Sequence, residues 1–267
     1  MSAVSLVISD VDGTLVTTDK TLTAASIRAV HQLHARGIGF TVISSRPPFG
    51  LRMLIEPLAL ALPIGAFNGG AMVKPTLEVI EQRLVPAPAA RRSVEVLEQF
   101  GADVWVFTAE RWLTQNPAGD YVPRERHTLQ AEPTVVKDFA PYFERAAKIV
   151  GSSRDFAKLA ACEQAMRAAL GTQASVIRSQ AYYLDVTPPN VDKGTFVKSL
   201  SQQLGAPAAS IAVLGDMEND LAMFRNAGLS TAMGNASEEV KRGATYVTKS
   251  NAEDGFAAAI ERYVLDL

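Results

Sequence analysis

Leu6-Val7-Ile8-Ser9-Asp10-Val11-Asp12-Gly13-Thr14-Leu15 is the stretch whose reading decides the fold. A short apolar, β-branched run ends in two carboxylates one residue apart, and Gly-Thr turns the chain sharply. This pattern predicts a buried strand that delivers both acids to the edge of a sheet. Two negative charges held that close repel unless something positive sits between them. A divalent cation with oxygen ligands, typically Mg²⁺, meets that need. Taken alone, such a stretch is more often an acidic turn after a surface strand, so its partners must come from the rest of the chain.

Working outward, Thr23 to Arg36 places Ile27, Val30 and Leu33 at helical spacing, with Gly37 as cap. Strand Ile38 to Ile43 follows and ends in Ser44-Ser45-Arg46-Pro47. Strand, helix and strand of this length predict a right-handed βαβ unit, which brings Ser44 to the same sheet edge as Asp10. A helix around Met53 to Leu60 and strand Ile64 to Phe67 lead to Asn68-Gly69-Gly70, read as the turn into a hairpin over Ala71 to Val85.

Pro86-Ala87-Pro88 reads as a linker, and the pattern then changes. A helix over Ala89 to Phe100, a hairpin of Asp103 to Thr108 with Arg111 to Gln115, and irregular sequence as far as Glu132 come first. Short strands at Thr134 to Val136 and Lys148 to Val150 follow. The helix Asp155 to Leu170 lines up Phe156, Leu159, Ala160, Met166 and Ala169, and strands Ser175 to Arg178 and Tyr182 to Val186 close the segment. Trp105, Trp112, Tyr182 and Tyr183 are expected in its core.

After Thr187-Pro188-Pro189-Asn190 the parallel pattern resumes. Asp192-Lys193-Gly194 opens a helix with Val197, Leu200 and Leu204 inward, and strand Ile211 to Leu214 runs into Gly215-Asp216-Met217-Glu218-Asn219-Asp220. Strand Ser230 to Met233, a helix near Ser237 to Arg242, strand-like Tyr246 to Thr248 and a helix over Glu253 to Leu265 complete the chain. The expected fold class is α/β: a Rossmann-like, doubly wound, mainly parallel sheet built from 1–85 and 188–267, with an α+β domain inserted at 86–187.

With 267 residues, 48% of them hydrophobic, the chain can bury a full core. Its 26 basic and 28 acidic residues give a formal net charge of -2, which leaves no electrostatic footprint for nucleic acid or an anionic membrane. The longest apolar stretch, near Leu51 to Phe67, is interrupted by Glu56, Pro57 and Pro63, so no membrane span is expected. No secretory signal is visible, and the single cysteine, Cys162, fits a reducing cytoplasm. Cys162 is expected as a packed helix residue rather than a nucleophile.

In an open α/β sheet, ligands bind beyond the carboxyl ends of the strands. Four predicted strands end there in polar groups: Asp10 and Asp12, Ser44, Asn68, and Asp216. Three carboxylates and a hydroxyl make a hard oxygen site suited to Mg²⁺. Lys193 stands at a helix start, where free amides and the helix dipole already favour an anion such as phosphate. Taken singly, Ser44, Arg46, Lys193, Asn219 and Asp220 are each ordinary turn, cap or solvated residues; their joint occurrence in order is what carries weight.

Those four motifs, Asp10-Val11-Asp12-Gly13-Thr14-Leu15, Ser44-Ser45-Arg46-Pro47, Asp192-Lys193-Gly194 and Gly215-Asp216-Met217-Glu218-Asn219-Asp220, resemble the haloacid dehalogenase superfamily of phosphatases, in its Cof-like sugar-phosphatase branch with an α+β (type IIB) cap. The second motif differs from the family's usual Thr-Gly-Arg-Pro but keeps a hydroxyl. The resemblance implies a cytoplasmic, Mg²⁺-dependent phosphomonoester hydrolase acting on a small phosphorylated metabolite, a sugar phosphate foremost. It implies Asp10 as nucleophile and Asp12 as general acid and base. Mg²⁺ would lie on the Asp10 carboxylate, the Asp12 backbone carbonyl and Asp216. Ser44, Arg46 and Lys193 would hold phosphate, with Asn219 and Asp220 in support. The insertion would be the cap that selects substrate, with Arg124, Arg126 and His127 as polar guesses. Two other readings stay open: a phosphohexomutase of the same superfamily, and a non-catalytic Mg²⁺-dependent phospho-acceptor domain, which is usually about half this long. A monomer and a small homo-oligomer are both compatible with the sequence.

Overall fold

A computed structural model describes residues 3–266. They form two compact units: one holds the described residues up to Ser45, Leu51–Ile80 and those from Asp192 on, and the other holds Arg46–Gly50 and Glu81–Val191.

The first unit begins with β1 (Leu6–Ser9), every residue of which is buried. Helix α1 (Ala24–Ala35) is capped by the Thr23 side chain, which accepts the Ser26 N–H, and it covers the sheet with Ala29, Val30 and Leu33. Then come β2 (Gly39–Val42), a short α2 (Arg52–Ile55), and a three-stranded sheet in the order β3 (Ile64–Ala66), β4 (Ala71–Val73) and β5 (Val79–Gln82), with β3 and β4 antiparallel.

In the second unit, α3 (Ala87–Gln99) starts within the segment expected as a linker: Pro86 is its N-cap and Pro88 sits in its first turn, where a missing N–H costs nothing. Strands β6 (Asp103–Phe107) and β7 (Trp112–Thr114) form the expected hairpin. A helix α4 (Val122–Leu129) occupies sequence expected to be irregular. After β8 (Thr134–Val135) and β9 (Lys148–Ser152), helix α5 (Phe156–Leu170) buries Leu159, Cys162, Met166 and Leu170. Phe156, expected on that face, lies in the first turn and stays half exposed. With β10 (Ser175–Gln180) and β11 (Tyr183–Thr187), the six-stranded sheet has the order β10-β11-β9-β6-β7-β8. Trp105 and Trp112 are buried, as expected of core residues. Val85 packs in this unit and donates to the Ala146 carbonyl, so the units part between Ile80 and Glu81 and between Val191 and Asp192, not at 85/86 and 187/188.

Returning to the first unit, α6 (Lys193–Leu204) is capped by Asp192 and ends at left-handed Gly205. It buries Phe196, Val197 and Leu200, while Leu204, expected inward, is exposed in its last turn. Strand β12 (Ile211–Gly215), a short α7 (Leu221–Phe224), β13 (Leu229–Ala232), α8 (Glu238–Arg242), β14 (Tyr246–Val247) and α9 (Gly255–Ile260) follow. The sheet order is β14-β13-β12-β1-β2, parallel at every pairing. Helices pack against a parallel sheet in which the first-entered strand, β1, lies between β2 and β12, so the chain winds to either side of it, which is the doubly wound α/β architecture. No helix among the described residues is long and apolar enough to cross a membrane.

Candidate active site

Because β1 and β12 run parallel with Ser9 opposite Leu214, both chains reach the same sheet edge and release Asp10 and Asp216 there. The Asp10 N–H still donates to the Leu214 carbonyl at 2.9 Å, so the acid is held by the last rung of the ladder. Beyond it the Val11 carbonyl accepts the N–H groups of Leu15 and Val16 at 3.0 and 3.1 Å, which coils the loop back on itself. Gly13 makes that possible with φ +86, and a Cβ there would lie 2.3 Å from Asp216 Oδ2.

Lys193 enters from the first turn of α6. Its Nζ is 2.6 Å from Asp10 Oδ1 and 2.6 Å from Asp220 Oδ1, with all three side chains buried. Asp220 spends its other oxygen on the backbone N–H groups of Asp216 and Met217, at 2.8 and 2.9 Å. Asp216 accepts Thr14 Oγ1 at 2.9 Å on Oδ1 and Asn235 Nδ2 at 3.2 Å on Oδ2. Asp12 is less buried, and its carboxylate is paired with Lys20 at 2.7 Å.

Ser44 follows β2 and is buried; its backbone donates to Gly65 and accepts the Asn68 N–H. Asn68 is left-handed at φ 56 and accepts the Asn219 side-chain amide at 3.0 Å, so a residue read as part of a turn ties two strand ends together. Arg46 belongs to the second compact unit, where its Nη1 donates to the Gly50 carbonyl at 3.0 Å.

Electrostatics follow from this crowding. Burial raises the Asp10 carboxyl well above the usual range; Lys193 opposes that rise, while Asp220 and Asp216 add to it. Asp216 is pushed up to about 6, first by burial and next by Asp220, against the Thr14 hydroxyl and Lys193. For Lys193, burial disfavours the charge, yet Asp10 and Asp220 outweigh it and hold the ammonium above its ordinary value.

Asp10, Asp216 and Asp220 each offer an oxygen within 4.8 Å of the others. Three carboxylates against one ammonium leave two negative charges in excess, the charge of one divalent cation. The donors are hard oxygens of the type Mg²⁺ selects. Asp220 Oδ2 already accepts two backbone N–H groups and its Oδ1 the Lys193 ammonium, whereas each Asp216 oxygen accepts a single hydrogen bond, so Asp10 and Asp216 are the side chains with most capacity for an ion.

Sequence reasoning passed over Lys20, Asn68 as a bridge, Asn235 and Asn251. Asn251 donates its N–H to Asn235 Oδ1 at 3.0 Å and its side-chain amide to the Val16 carbonyl at 2.9 Å. The only local signal was Met233-Gly234-Asn235 directly after a strand, at the same edge as the acids.

The family model for haloacid dehalogenase-like hydrolases matches residues 7–260. The HMP-PP phosphatase of Cronobacter sakazakii is 28% identical over 85% of this chain and 83% of its own. A Bacillus subtilis 5-amino-6-(5-phospho-D-ribitylamino)uracil phosphatase is 26% identical over 95% of this chain and 96% of its own. A haloacid dehalogenase-like hydrolase of known structure from Bacteroides thetaiotaomicron superposes with a TM-score of 0.91, at 28% identity, covering 97% of this chain and 99% of the other. The chain belongs to the haloacid dehalogenase-like hydrolase family and is a phosphatase of that family.

Proposed function

We propose that the protein is a Mg²⁺-dependent phosphomonoester hydrolase that works through an aspartyl-phosphate on Asp10. The observation that carries the reading is the Lys193 ammonium held between Asp10 and Asp220 at the sheet edge where Asp216 also ends. An Asp10 oxygen attacks phosphorus as the bond from phosphorus to the ester oxygen breaks, and the proton that the departing alkoxide needs comes from the Asp12 carboxyl. Water then attacks phosphorus, the acyl-phosphate bond breaks, and Asp12 takes the proton from water. Ser44 and Lys193 hold the phosphoryl oxygens, a kind of fixed charge and hydrogen bonding worth on the order of 3 kcal/mol per donor. Asp220 fixes Lys193 and the 216–217 backbone, and Asn219 braces Asn68.

The residues fit an ion held by the Asp10 carboxylate, the Asp12 carbonyl and Asp216; when bound, Mg²⁺ supplies positive charge that lets an anionic nucleophile approach an anionic phosphate. Arg46 stays a proposed phosphate contact whose Nη1 is engaged with Gly50. The inserted segment Glu81–Val191 of the second unit acts as the cap that selects the leaving group. The substrate is a small phosphorylated metabolite. A sugar-type phosphate leads, in keeping with a relative named for a phosphoribityl compound. A reducing cytoplasm suits the buried free thiol of Cys162.

A panel of sugar phosphates, phosphorylated cofactors and 4-nitrophenyl phosphate, assayed for free phosphate with Mg²⁺ and again after EDTA, tests this. Phosphate release that stops on chelation and returns with Mg²⁺ is expected. Undiminished hydrolysis after chelation overturns the metal assignment, and isomerisation of a hexose phosphate without free phosphate replaces the hydrolase with a mutase.

A further inference from the structure

Asp216 carries one fixed hydrogen bond on each carboxylate oxygen, from Thr14 and from Asn235. The same Asn235 amide donates to the Gly13 carbonyl at 3.0 Å. One NH₂ group therefore ties the loop after β1 to the carboxylate after β12. Its orientation follows from its neighbours: the Asn251 N–H can face only an oxygen, so Asn235 presents Oδ1 to it and Nδ2 to the two acceptors.

Asn251 is locked in turn. Its amide donates to the Val16 carbonyl, and Val16 pairs with Asp12 in a backbone bridge. Gly234 lets the two asparagines meet: its N–H donates to Lys249 at 2.9 Å, and a Cβ at 234 would stand 2.7 Å from the Ser250 nitrogen. The chain of contacts runs from the 249–251 segment through Asn235 to both loops that carry the candidate metal ligands.

We infer that Asn235 is a positioning residue for the divalent cation, setting the rotation of the Asp216 carboxylate and its spacing from the Asp10–Asp12 loop. The inference rests on the Mg²⁺ reading above. Thr14 and Asn235 take one lone-pair direction on each Asp216 oxygen and leave the others for an ion. With Asn235 truncated, the carboxylate turns about its Thr14 bond, and ion binding must restore its alignment. Outer hydrogen bonds of this kind shift metal affinity more than they shift chemistry at saturating metal.

The test is calorimetric titration of Mg²⁺ into EDTA-stripped protein, for wild type, Asn235→Ala and Asn251→Ala, with melting temperatures taken in parallel. Asn235 lies at the surface, so N235A is expected to fold. If it melts early, N251A, which keeps the backbone N–H that Asn235 Oδ1 accepts but cuts the side-chain tie to the Val16 carbonyl that holds the 251 segment against the loop, carries the same comparison. The expected result is a Mg²⁺ affinity weakened about 10–100-fold, with kcat at saturating Mg²⁺ and substrate KM within about threefold of wild type. Wild-type Mg²⁺ affinity in both variants overturns the inference, as does a loss of kcat at saturating metal with unchanged affinity, which marks a merely structural role. No Mg²⁺ binding by the wild type is a different outcome, and it refutes the metal reading itself.

Discussion

Replacing Lys193 by methionine keeps much of the side-chain volume and removes one buried charge. Two carboxylates, each 2.6 Å from the nitrogen, then lose their cation in a place where Asp10 is 4% and Asp220 0% exposed. At an effective dielectric of 20, each contact is worth about 6 kcal/mol of gross Coulomb attraction. The desolvation of the ammonium, several kcal/mol, is recovered on its removal, so a net loss of about 3–5 kcal/mol is expected, as when one partner of a buried pair is deleted. For a chain of this size, that corresponds to a melting temperature lower by roughly 6–20 °C. Thermal unfolding followed by circular dichroism in EDTA measures it. The difference should shrink as pH falls, because an unpaired Asp10, already raised by burial, escapes its penalty by taking a proton. A K193M protein that melts within 2 °C of wild type at neutral pH, to order of magnitude, would refute the buried triad as described.

Other outcomes follow from the same geometry. Gly13→Ala places a Cβ 2.3 Å from Asp216 Oδ2 and imposes φ +86 on a residue with a side chain, so loss of Mg²⁺-dependent activity is expected together with about 1–2 kcal/mol of stability; activity assay and urea melts check both. Burial pushes the Cys162 thiol up to about 11 from 9.0. Its neutral form therefore contributes stability that is fully present below pH 9 and is lost as pH rises through 11, so Cys162→Ala should show a flatter alkaline melting profile than wild type. The same burial predicts that Cys162 reacts with a thiol reagent only after denaturation. Asp10→Asn should fold with an unchanged circular dichroism spectrum and lose turnover by more than about a thousandfold, measured as phosphate release.

The parts of the site that lie within one motif were readable in the sequence because strand, turn and acid are neighbours in the chain: Leu6 to Gly13, and Asp192 with Lys193 at a helix start. Lys193 was expected to face phosphate; the structure pairs it with Asp10 and Asp220. What escaped notice depends on segments distant in sequence. Asn235 and Asn251 resemble ordinary loop residues until two loops meet across Gly234. Lys20 meets Asp12 only because the turn that carries it folds back, which no motif announces. Helix α4 has only Val122 and Leu129 buried among Pro123 and charged neighbours, too few apolar positions to show a helical period. Leu204 and Phe156 are apolar residues at helix ends, where periodicity continues after the packed surface has ended.

The central claim is that Asp10 carries the phosphoryl group between two displacements. Acid quenching of a turnover mixture made with phosphate-labelled substrate and Mg²⁺, followed by peptide mapping, tests it most directly. The account predicts a label on the peptide containing Asp10, absent in Asp10→Asn and discharged when turnover is allowed to finish. Label on another residue, or rapid hydrolysis in which no acyl-phosphate ever forms on Asp10, would contradict it.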